Sequence, residues 1–370
     1  MPSRCRESAD GLRRAQGRTS IGVVTDNAAL RLAAMADGYL TTQLLYVAVR
    51  LGLADELAAG PRAGADVAAA VGADPDAVTR VMRGLCLDEV FVEHDDGRFA
   101  LGPLGEYLRD GVPGSLRGPV LVRGGLYYSA TGDLLHATRT GSAGFERVYG
   151  RPFFDHLDRD AGDATLFQAS MAGRAEHEAA AVLAAYDLSG RTHLVDVGAG
   201  PGVTTRAALR ALPGLRATLF DRPGMLERAR TELTGAGLAE RCAFVEGDFF
   251  DAVPPDGDVY LLSRVLHDWV DEDAVRILKS CRAAMRPGAR LLVVDAVLPT
   301  RARDMPAAIR MDLMMLILLG ARERTAEEFR RVLSNAGFEL RRIVPTGSPT
   351  GLAVVECEVP NSAMPVPSSG

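Results

Sequence analysis

Two patterns of apolar and polar positions divide the chain near residue 190. Before that point apolar residues recur at helical spacing, first in "LRLAAMADGYLTTQLLYVAVRLGLADEL" and then through a mostly helical stretch from 104 to 190. From His193 onward, short apolar runs alternate with helical segments, and the predicted strands are "HLVDVG", "RATLFD", "CAFVEGD", "DVYLLSR", "RLLVVDAVLP" and "LAVVECE". Such strand–helix alternation predicts a mostly parallel sheet that is covered by helices on both faces.

The first helical stretch, from Ala28 to Leu57, is apolar on more than one side. A surface helix of a single domain normally keeps one polar face. The pattern therefore predicts that this stretch is buried against something beyond its own domain. We expect a second copy of the chain to cover it in a homodimer.

The next segment, "GADVAAAVGADPDAVTRVMRGLCLDEVFVEHDDGRFALG", predicts a helix, a turn, a second helix and two short strands around "DDG". Asp74 and Pro75 suit the N-cap and the first turn of the second helix. The arrangement is that of a winged helix, a shape that binds DNA in many proteins. Its second helix has few cations beside its acids, which favours a structural or dimerising role; these residues are Arg80, Arg83, Asp76, Asp88 and Glu89.

Composition narrows the class of protein further. The 370 residues carry a formal net charge of −6, so bulk charge gives no reason to expect a nucleic-acid partner. No apolar run approaches the roughly 20 residues of a membrane span, and the polar N-terminal residues lack the apolar stretch of a signal peptide. The five cysteines are scattered without a CxxC pair. We therefore expect a cytoplasmic protein without a structural metal.

These patterns predict five segments along the chain. They are a disordered tail over 1–22, a winged-helix domain over 23–110, a helical linker over 111–190, an α/β domain over 191–357, and a second disordered tail over 358–370. The roles of the three middle segments, which are dimerisation, lining of the substrate and cofactor-binding catalysis, are implied by the family resemblance described below.

The glycine loop "DVGAGPG" directly follows the first strand of the sheet and precedes a helix. Ligands of open α/β sheets bind at this position, and the spacing GxGxG lacks the last glycine of the dinucleotide fingerprint. Asp221 ends the second strand, where it can accept hydrogen bonds from ribose hydroxyls, and Asp248 and Phe249 end the third, where an adenine ring fits. A nucleoside-sized ligand without a pyrophosphate cradle describes S-adenosylmethionine. The plainer alternative is that the glycines serve only a tight turn.

Longer segments carry a family resemblance. "LVDVGAGPG", "GDFF", "LLSRVLHDWVDEDAVRILKSCRAAMRPGARLLVVDAVLP" and "RERTAEEFRRVLSNAGF" resemble the plant-type small-molecule O-methyltransferases, especially the bacterial natural-product branch around carminomycin 4-O-methyltransferase. The resemblance is most specific over 194–298 and extends from about 28 to 357. It implies a class I methyltransferase domain, a Rossmann-like α/β fold with a mostly parallel sheet and one antiparallel strand. It also implies a preceding winged-helix dimerisation domain and catalysis without a metal.

The resemblance assigns the general base to the histidine of "HDW", His267, which would take the proton of a phenol as the phenol oxygen attacks the methyl group. It places two acidic residues beside that base, and Asp295 and Glu323 match them. Asp295 stands where plant members usually have the longer glutamate, so its reach is shorter. The other histidines are expected to be packed or solvated: His94, His136, His156, His177 and His193.

The resemblance also implies binding residues. The cofactor-binding set is Asp196, Gly198, Gly200, Asp221, Arg222, Asp248, Phe249, Ser263 and Arg264. The residues expected around a small aromatic substrate are Phe154, Phe167, Met171, Asp268, Trp269, Met315 and Leu319. Each apolar member of the second set is also compatible with an ordinary core position. For Asp268 the structural alternative is that it caps the next helix, and for Trp269 that it packs near the cofactor.

Three functions are compatible with these observations. The first is an S-adenosylmethionine-dependent O-methyltransferase that acts on a phenolic hydroxyl of an aromatic secondary metabolite. The second is a non-methylating hydroxylase, decarboxylase or cyclase of the same fold, which the intact "HDW" disfavours because several such relatives lack the histidine. The third is a winged-helix regulator, which the acids on the second helix disfavour.

Overall fold

The structure is a computed structural model that describes residues 27–360. The predicted tail over 1–22 and most of the tail over 358–370 lie outside these residues. The chain divides after Val120 into two compact units. The helices described are α1 Asn27–Ala36, α2 Gly38–Leu51, α3 Leu53–Glu56, α4 Gly64–Val71, α5 Pro75–Cys86, α6 Arg117–Gly124, α7 Leu126–Thr131, α8 Leu134–Thr140, α9 Gly144–Tyr149, α10 Phe153–Arg159, α11 Ala161–Ala185, α12 Val203–Ala211, α13 Pro223–Gly235, α14 Asp271–Ala284, α15 Pro306–Leu319 and α16 Ala326–Asn335.

Eleven strands are described besides these helices. They are β1 Arg62–Ala63, β2 Phe91–Glu93, β3 Arg98–Leu101, β4 His193–Val197, β5 Arg216–Asp221, β6 Cys242–Glu246, β7 Val259–Ser263, β8 Arg290–Leu298, β9 Arg324–Thr325, β10 Glu339–Pro345 and β11 Leu352–Glu358. Glu358, predicted to open the second tail, is therefore the last residue of a strand.

The first unit is a winged helix. Helices α4 and α5 are followed by the hairpin β2–β3, and β1 completes a small antiparallel sheet in the order β1-β3-β2. The Asp74 side chain accepts a hydrogen bond from the backbone N–H of Ala77 at 2.8 Å, so the predicted N-cap of α5 is confirmed. The core between these elements is formed by side chains that are almost fully buried, among them Val67, Met82, Leu85, Phe91 and Phe99.

Helix α1 differs from the rest of the first unit because none of its residues is buried. Leu30, Leu32 and Met35 are 61%, 67% and 75% exposed, although burial of such side chains is favourable by roughly 1.5–3 kcal/mol each. The apolar pattern predicted for this stretch is therefore present, and the described residues 27–360 leave the apolar side chains of α1 exposed.

The second unit contains one large sheet. Its strand order is β10-β11-β8-β7-β4-β5-β6, and β9 pairs with the end of β8. All neighbouring strands from β6 to β8 are parallel, and β11 runs antiparallel to both β8 and β10. The sheet therefore is mostly parallel with one antiparallel strand, β11, which confirms the predicted fold class.

Both faces of this sheet are covered, as the uninterrupted apolar runs of its strands require. Side chains of α14 and α16 pack on one face against β4, β7, β8 and β11. Those of α11, α12 and α13 pack on the other face against the alternate residues of the same strands. The parallel strands β4 to β8 therefore end together at one edge, and the loops at that edge carry the residues with predicted chemistry. Among residues 27–360, no helix combines the length and the apolar character needed to span a bilayer.

Candidate active site

The glycine loop after β4 is built from left-handed backbone. Gly198, Gly200 and Gly202 have φ of 73°, 54° and 75°, values that side chains with a Cβ rarely adopt. A Cβ at Gly198 would lie 2.8 Å from a methyl group of Val265, and one at Gly202 would lie 2.8 Å from Leu219. At Gly200 the space is open. Two glycines are thus required by packing, and the middle one leaves room over the loop.

Asp221 at the end of β5 holds this loop. Its Oδ2 accepts the backbone N–H of Gly200 at 2.8 Å, and its Oδ1 accepts that of Arg222 at 2.7 Å. Burial raises the pKa of this carboxyl, and the two N–H groups oppose the rise. Each carboxylate oxygen has a second lone pair, so Asp221 can still accept hydrogen bonds from a pair of ribose hydroxyls.

Asp196, the last polar residue of β4, is buried beneath the loop. Its Oδ2 accepts the hydroxyl of Thr205 at 2.6 Å, whereas Oδ1 has no partner among the described residues. Burial raises the pKa of Asp196 to about 7. An unpaired buried acceptor next to a glycine loop fits a site that is completed by a polar ligand.

The end of β6 supplies the other side of the nucleoside site. Asp248 is exposed, and its Oδ1 accepts the backbone N–H of Phe250 at 2.8 Å. The rings of Phe249 and Phe250 meet Trp269 edge to face at 5.8 and 4.7 Å. Trp269 therefore packs against the two phenylalanines that follow β6, and its place beside the cofactor or the substrate stays a prediction.

His267 lies beyond the carboxyl end of β7, in a single turn of 3-10 helix over Leu266–Asp268. Its Nδ1 lies 2.8 Å from Glu323 Oε1, although the two residues are 56 positions apart. Its Nε2 lies 3.3 Å from Asp268 Oδ1. The helix after this turn has Val270 as its N-cap and no side-chain cap hydrogen bond, so Asp268 does not cap it, and the role of Asp268 towards the substrate stays a prediction.

Asp295 on β8 lies close to His267 and Glu323, and these three residues together with Asp268 form the acid–base cluster. Unlike Glu323, Asp295 makes no hydrogen bond to His267. Its carboxylate oxygens have no hydrogen-bond partner among the described residues, and one of them lies within 4.8 Å of ligand atoms of both His267 and Glu323. Burial raises the pKa of Asp295 to about 7. The short side chain thus approaches His267 without a hydrogen bond to it, and among the described residues the contact at Nδ1 of the ring is made by Glu323.

Arg264, which was predicted to bind the cofactor, pairs with two carboxylates. It has φ of 58°, and its guanidinium contacts Glu178 Oε1 at 2.6 Å, Glu178 Oε2 at 3.2 Å and Glu323 Oε1 at 3.3 Å. The side chain therefore lies in the acid–base cluster, and a contact with the cofactor stays a prediction. Glu178 on α11 was missed by the sequence analysis because a single acid on a long helix has no local signature.

The carboxylates control the protonation of His267. Burial alone lowers the pKa of the imidazole, but Glu323, Asp268 and Asp295 outweigh it and raise the pKa to about 9. Burial raises the pKa of Glu323, whereas His267 and Arg264 outweigh that effect and hold it below its usual value. The imidazole of His267 is therefore protonated at neutral pH.

The remaining residues of the predicted substrate-binding set lie on the helices α10, α11 and α15. Phe154, Phe167 and Leu319 are half-buried and pack on an apolar cluster around Phe145 and Phe153. Met171 on α11 is half-buried, and Met315 on α15 is buried.

Two further residues belong to the predicted cofactor-binding set. Ser263, the last residue of β7, is half-buried at the edge of the sheet. Arg222 pairs with Asp158 at 2.8 Å.

Comparison with known proteins identifies the two units. Residues 131–339 match the O-methyltransferase domain, and residues 33–110 match the O-methyltransferase dimerisation domain. The chain belongs to the O-methyltransferase family. It is 42% identical over 325 residues to the phenazine O-methyltransferase of Lysobacter antibioticus, a match that covers 88% of this chain and 94% of that protein.

Two further relatives show what this family binds and does. An O-methyltransferase from neocarzinostatin biosynthesis, solved with S-adenosylmethionine and 2-hydroxy-5-methyl naphthoic acid, is 33% identical; the match has a TM-score of 0.79 and covers 86% of this chain and 96% of that one. Aclacinomycin 10-hydroxylase of Streptomyces purpurascens is 37% identical over 316 residues, 84% of each chain. This O-methyltransferase is an S-adenosylmethionine-dependent enzyme of the natural-product branch, as the resemblance implies.

Proposed function

We propose that the enzyme methylates a phenolic hydroxyl of an aromatic natural product and that His267 is the general base. The observation that carries this proposal is the contact of 2.8 Å between His267 Nδ1 and Glu323 Oε1. A carboxylate on Nδ1 fixes the ring and leaves Nε2 to exchange a proton with the acceptor. The buried position of both groups keeps this orientation rigid.

The cofactor-binding residues in this proposal are the glycine loop, Asp196, Asp221, Asp248 and Phe249. S-adenosylmethionine supplies a methyl group that is already activated by the positive sulfur. The protein therefore contributes orientation of the two reactants and removal of the phenol proton. A phenol of pKa near 10 is mostly protonated at neutral pH, so a base at the reacting oxygen accelerates the transfer.

The test is His267→Gln, compared with the wild type over a range of pH. Binding of the demethylated cofactor should change little, because neither the loop nor Asp221 contacts His267. Turnover should fall by roughly 10²–10⁴-fold, the usual contribution of a positioned base. The rate of the wild type should rise with pH and level off near pH 9, where the imidazole becomes neutral. The residual rate of the variant should continue to rise towards the phenol pKa of about 10. A variant with the rate and pH profile of the wild type would show that His267 is not the base.

A second function deserves a test because a relative of 37% identity is a hydroxylase. The two reactions leave different products: methyl transfer yields demethylated cofactor in equal amount and a product heavier by one methylene. Hydroxylation adds an oxygen atom and leaves the cofactor intact. Mass spectrometry of both the acceptor and the cofactor after turnover separates them.

We also propose that the enzyme is a homodimer in which α1 contributes to the interface. The match to a dimerisation domain begins within α1, and Leu30, Leu32 and Met35 form an apolar surface that residues 27–360 leave exposed. Light scattering should give twice the mass of the chain. Replacing Leu32 and Met35 with Ser should lower the mass or the association constant, whereas a monomeric wild type at micromolar concentration would contradict the proposal.

A further inference from the structure

Arg174 on α11 has an unusual set of contacts. One nitrogen of its guanidinium, Nη2, lies 3.3 Å from the sulfur of Met171, and Nη1 lies 3.9 Å from the sulfur of Met311. Its nearest carboxylate is Glu178, at 3.6 Å from Nε. Thioether sulfur is a weak acceptor, and a guanidinium has five N–H donors. Arg174 is therefore poorly satisfied by the groups around it.

Glu178 does not make up for this, because its carboxylate is occupied elsewhere. Both of its oxygens accept hydrogen bonds from Arg264, at 2.6 and 3.2 Å. A carboxylate shared between two arginines neutralises only one of them. Burial lowers the pKa of Arg174, and the positive charge of Arg264 lowers it further. An additional anion at Arg174 would relieve both effects.

A chain of ion pairs connects Arg174 to His267. Glu178 Oε1 lies 3.6 Å from Arg174 Nε and 2.6 Å from Arg264 Nη2. Glu323 Oε1 lies 3.3 Å from Arg264 Nη1 and 2.8 Å from His267 Nδ1. The side chain of Arg174 is 31% exposed, so a ligand can reach it.

We propose that Arg174 binds an anionic group of the acceptor, and that the acceptor is a phenol that also carries a carboxylate. This inference rests on the proposed function, since it names the substrate class for the same site. The planar fork of arginine pairs with a carboxylate through two parallel hydrogen bonds, which fixes the orientation of the ring as well as its affinity. The flanking methionine side chains provide an apolar surface for the aromatic part.

The carboxylates nearby restrict where the anion can bind. Glu323 is held by His267 and Arg264, and Asp268 lies at the other nitrogen of His267. An acceptor carboxylate would be repelled on that side and attracted by Arg174, whose charge is the less neutralised of the two arginines that contact Glu178. The ring is thereby aligned with its hydroxyl towards His267 and its carboxylate towards α11, so Arg174 would select both the class of acceptor and the position that is methylated.

The experiment compares matched ligands by calorimetry in the presence of demethylated cofactor. The probes are ortho-hydroxynaphthoates and the corresponding hydroxynaphthamides, which differ in charge and little in shape. The wild type should bind the acids roughly 10–100-fold more tightly than the amides, the range expected of a hydrogen-bonded charge pair. Arg174→Met should remove this preference and leave the affinity for the amides nearly unchanged. Arg174→Lys should retain part of it.

Three controls separate the possible outcomes. Arg310→Met removes an exposed arginine one residue before Met311 and should leave the preference intact. Unchanged binding of the demethylated cofactor by Arg174→Met shows that the variant is folded. Methylation of neutral phenols tests the proposed function independently, since its failure would leave the carboxylate preference measurable. Equal affinity of the wild type for acids and amides, absence of binding of any hydroxynaphthoate, or a preference that survives in Arg174→Met would each overturn the assignment.

Discussion

The glycine loop and the acid–base cluster follow two adjacent parallel strands, β4 and β7, yet they are built in opposite ways. The loop is a continuous stretch of seven residues whose shape comes from backbone torsions. The cluster is made of side chains from the segment after β7, from β8, from α11 and from the segment before β9, which meet only in the folded chain. The glycine loop therefore depends on backbone conformations that glycine adopts easily, whereas the acid–base cluster depends on the charges of its side chains.

The same contrast predicts different responses to pH and substitution. The loop relies mainly on backbone N–H groups, which do not titrate in the physiological range, and its buried Asp196 has a pKa of about 7. In the cluster, His267, Asp268 and Asp295 have pKa values of about 9, 6 and 7. Above the titration of Asp196, between pH 8 and 9, cofactor binding should therefore vary little, whereas turnover should still rise with the titration of His267.

The largest effect is expected from Gly200→Asp in the loop. Aspartate tolerates the left-handed backbone at this position and its Cβ meets no neighbour, so the fold should persist. The new carboxylate would occupy the open space over the loop, and affinity for the cofactor should fall by about 100-fold or more in calorimetry. Gly190→Asp, at another left-handed glycine with open space, is the matched control and should bind normally. Tight binding by both variants would refute the placement of the cofactor.

A smaller effect is expected from Glu323→Gln in the cluster. The amide keeps the shape of the side chain but removes the charge that raises the pKa of His267, so the pH at which the rate levels off should decrease. Turnover at pH 8 should fall by ~100-fold because the base is no longer held and stabilised as it takes the proton. Glu327→Gln on the exposed surface of α16 serves as the control. A pH profile identical to that of the wild type would contradict the role of Glu323.

The smallest effect on turnover is expected from Asp295→Asn, and its clearer signal is in stability. The pKa of Asp295 is about 7 in the folded chain and near 4 in an unfolded one, so the folded state binds more protons between these values. Stability therefore decreases as pH rises from about 4 to 7, and the variant should show less of this decrease. Melting temperatures at pH 5 and 8 measure it, while turnover should change less than about tenfold. An unchanged dependence of stability on pH would exclude the raised pKa.

Local features were predictable from sequence because their signals are local. The glycine spacing predicted the loop, the Asp74–Pro75 pair predicted the start of α5, and the apolar runs predicted most strands of the large sheet. The strand β10 was not predicted, since two adjacent exposed arginines, Arg341 and Arg342, interrupt its apolar residues at the edge of the sheet.

The cluster could be predicted only through resemblance, because its contacts join distant residues. His267 and Glu323 are candidates on family likeness, but neither spacing nor periodicity indicates that they meet. The pairing of Arg264 with Glu178 could not be anticipated, because an arginine at the end of a strand and an acid on a helix are both common on solvated surfaces.

The direction of β11 has a practical consequence for protein engineering. This strand begins opposite Ala296 and ends opposite Arg290, where β8 itself begins. The chain therefore leaves the sheet at the edge remote from the loop and the base. A fused domain, an affinity tag or a surface linker attached beyond this strand starts on the far side of the sheet from the reacting groups, which makes this end the natural point of attachment for immobilising the enzyme.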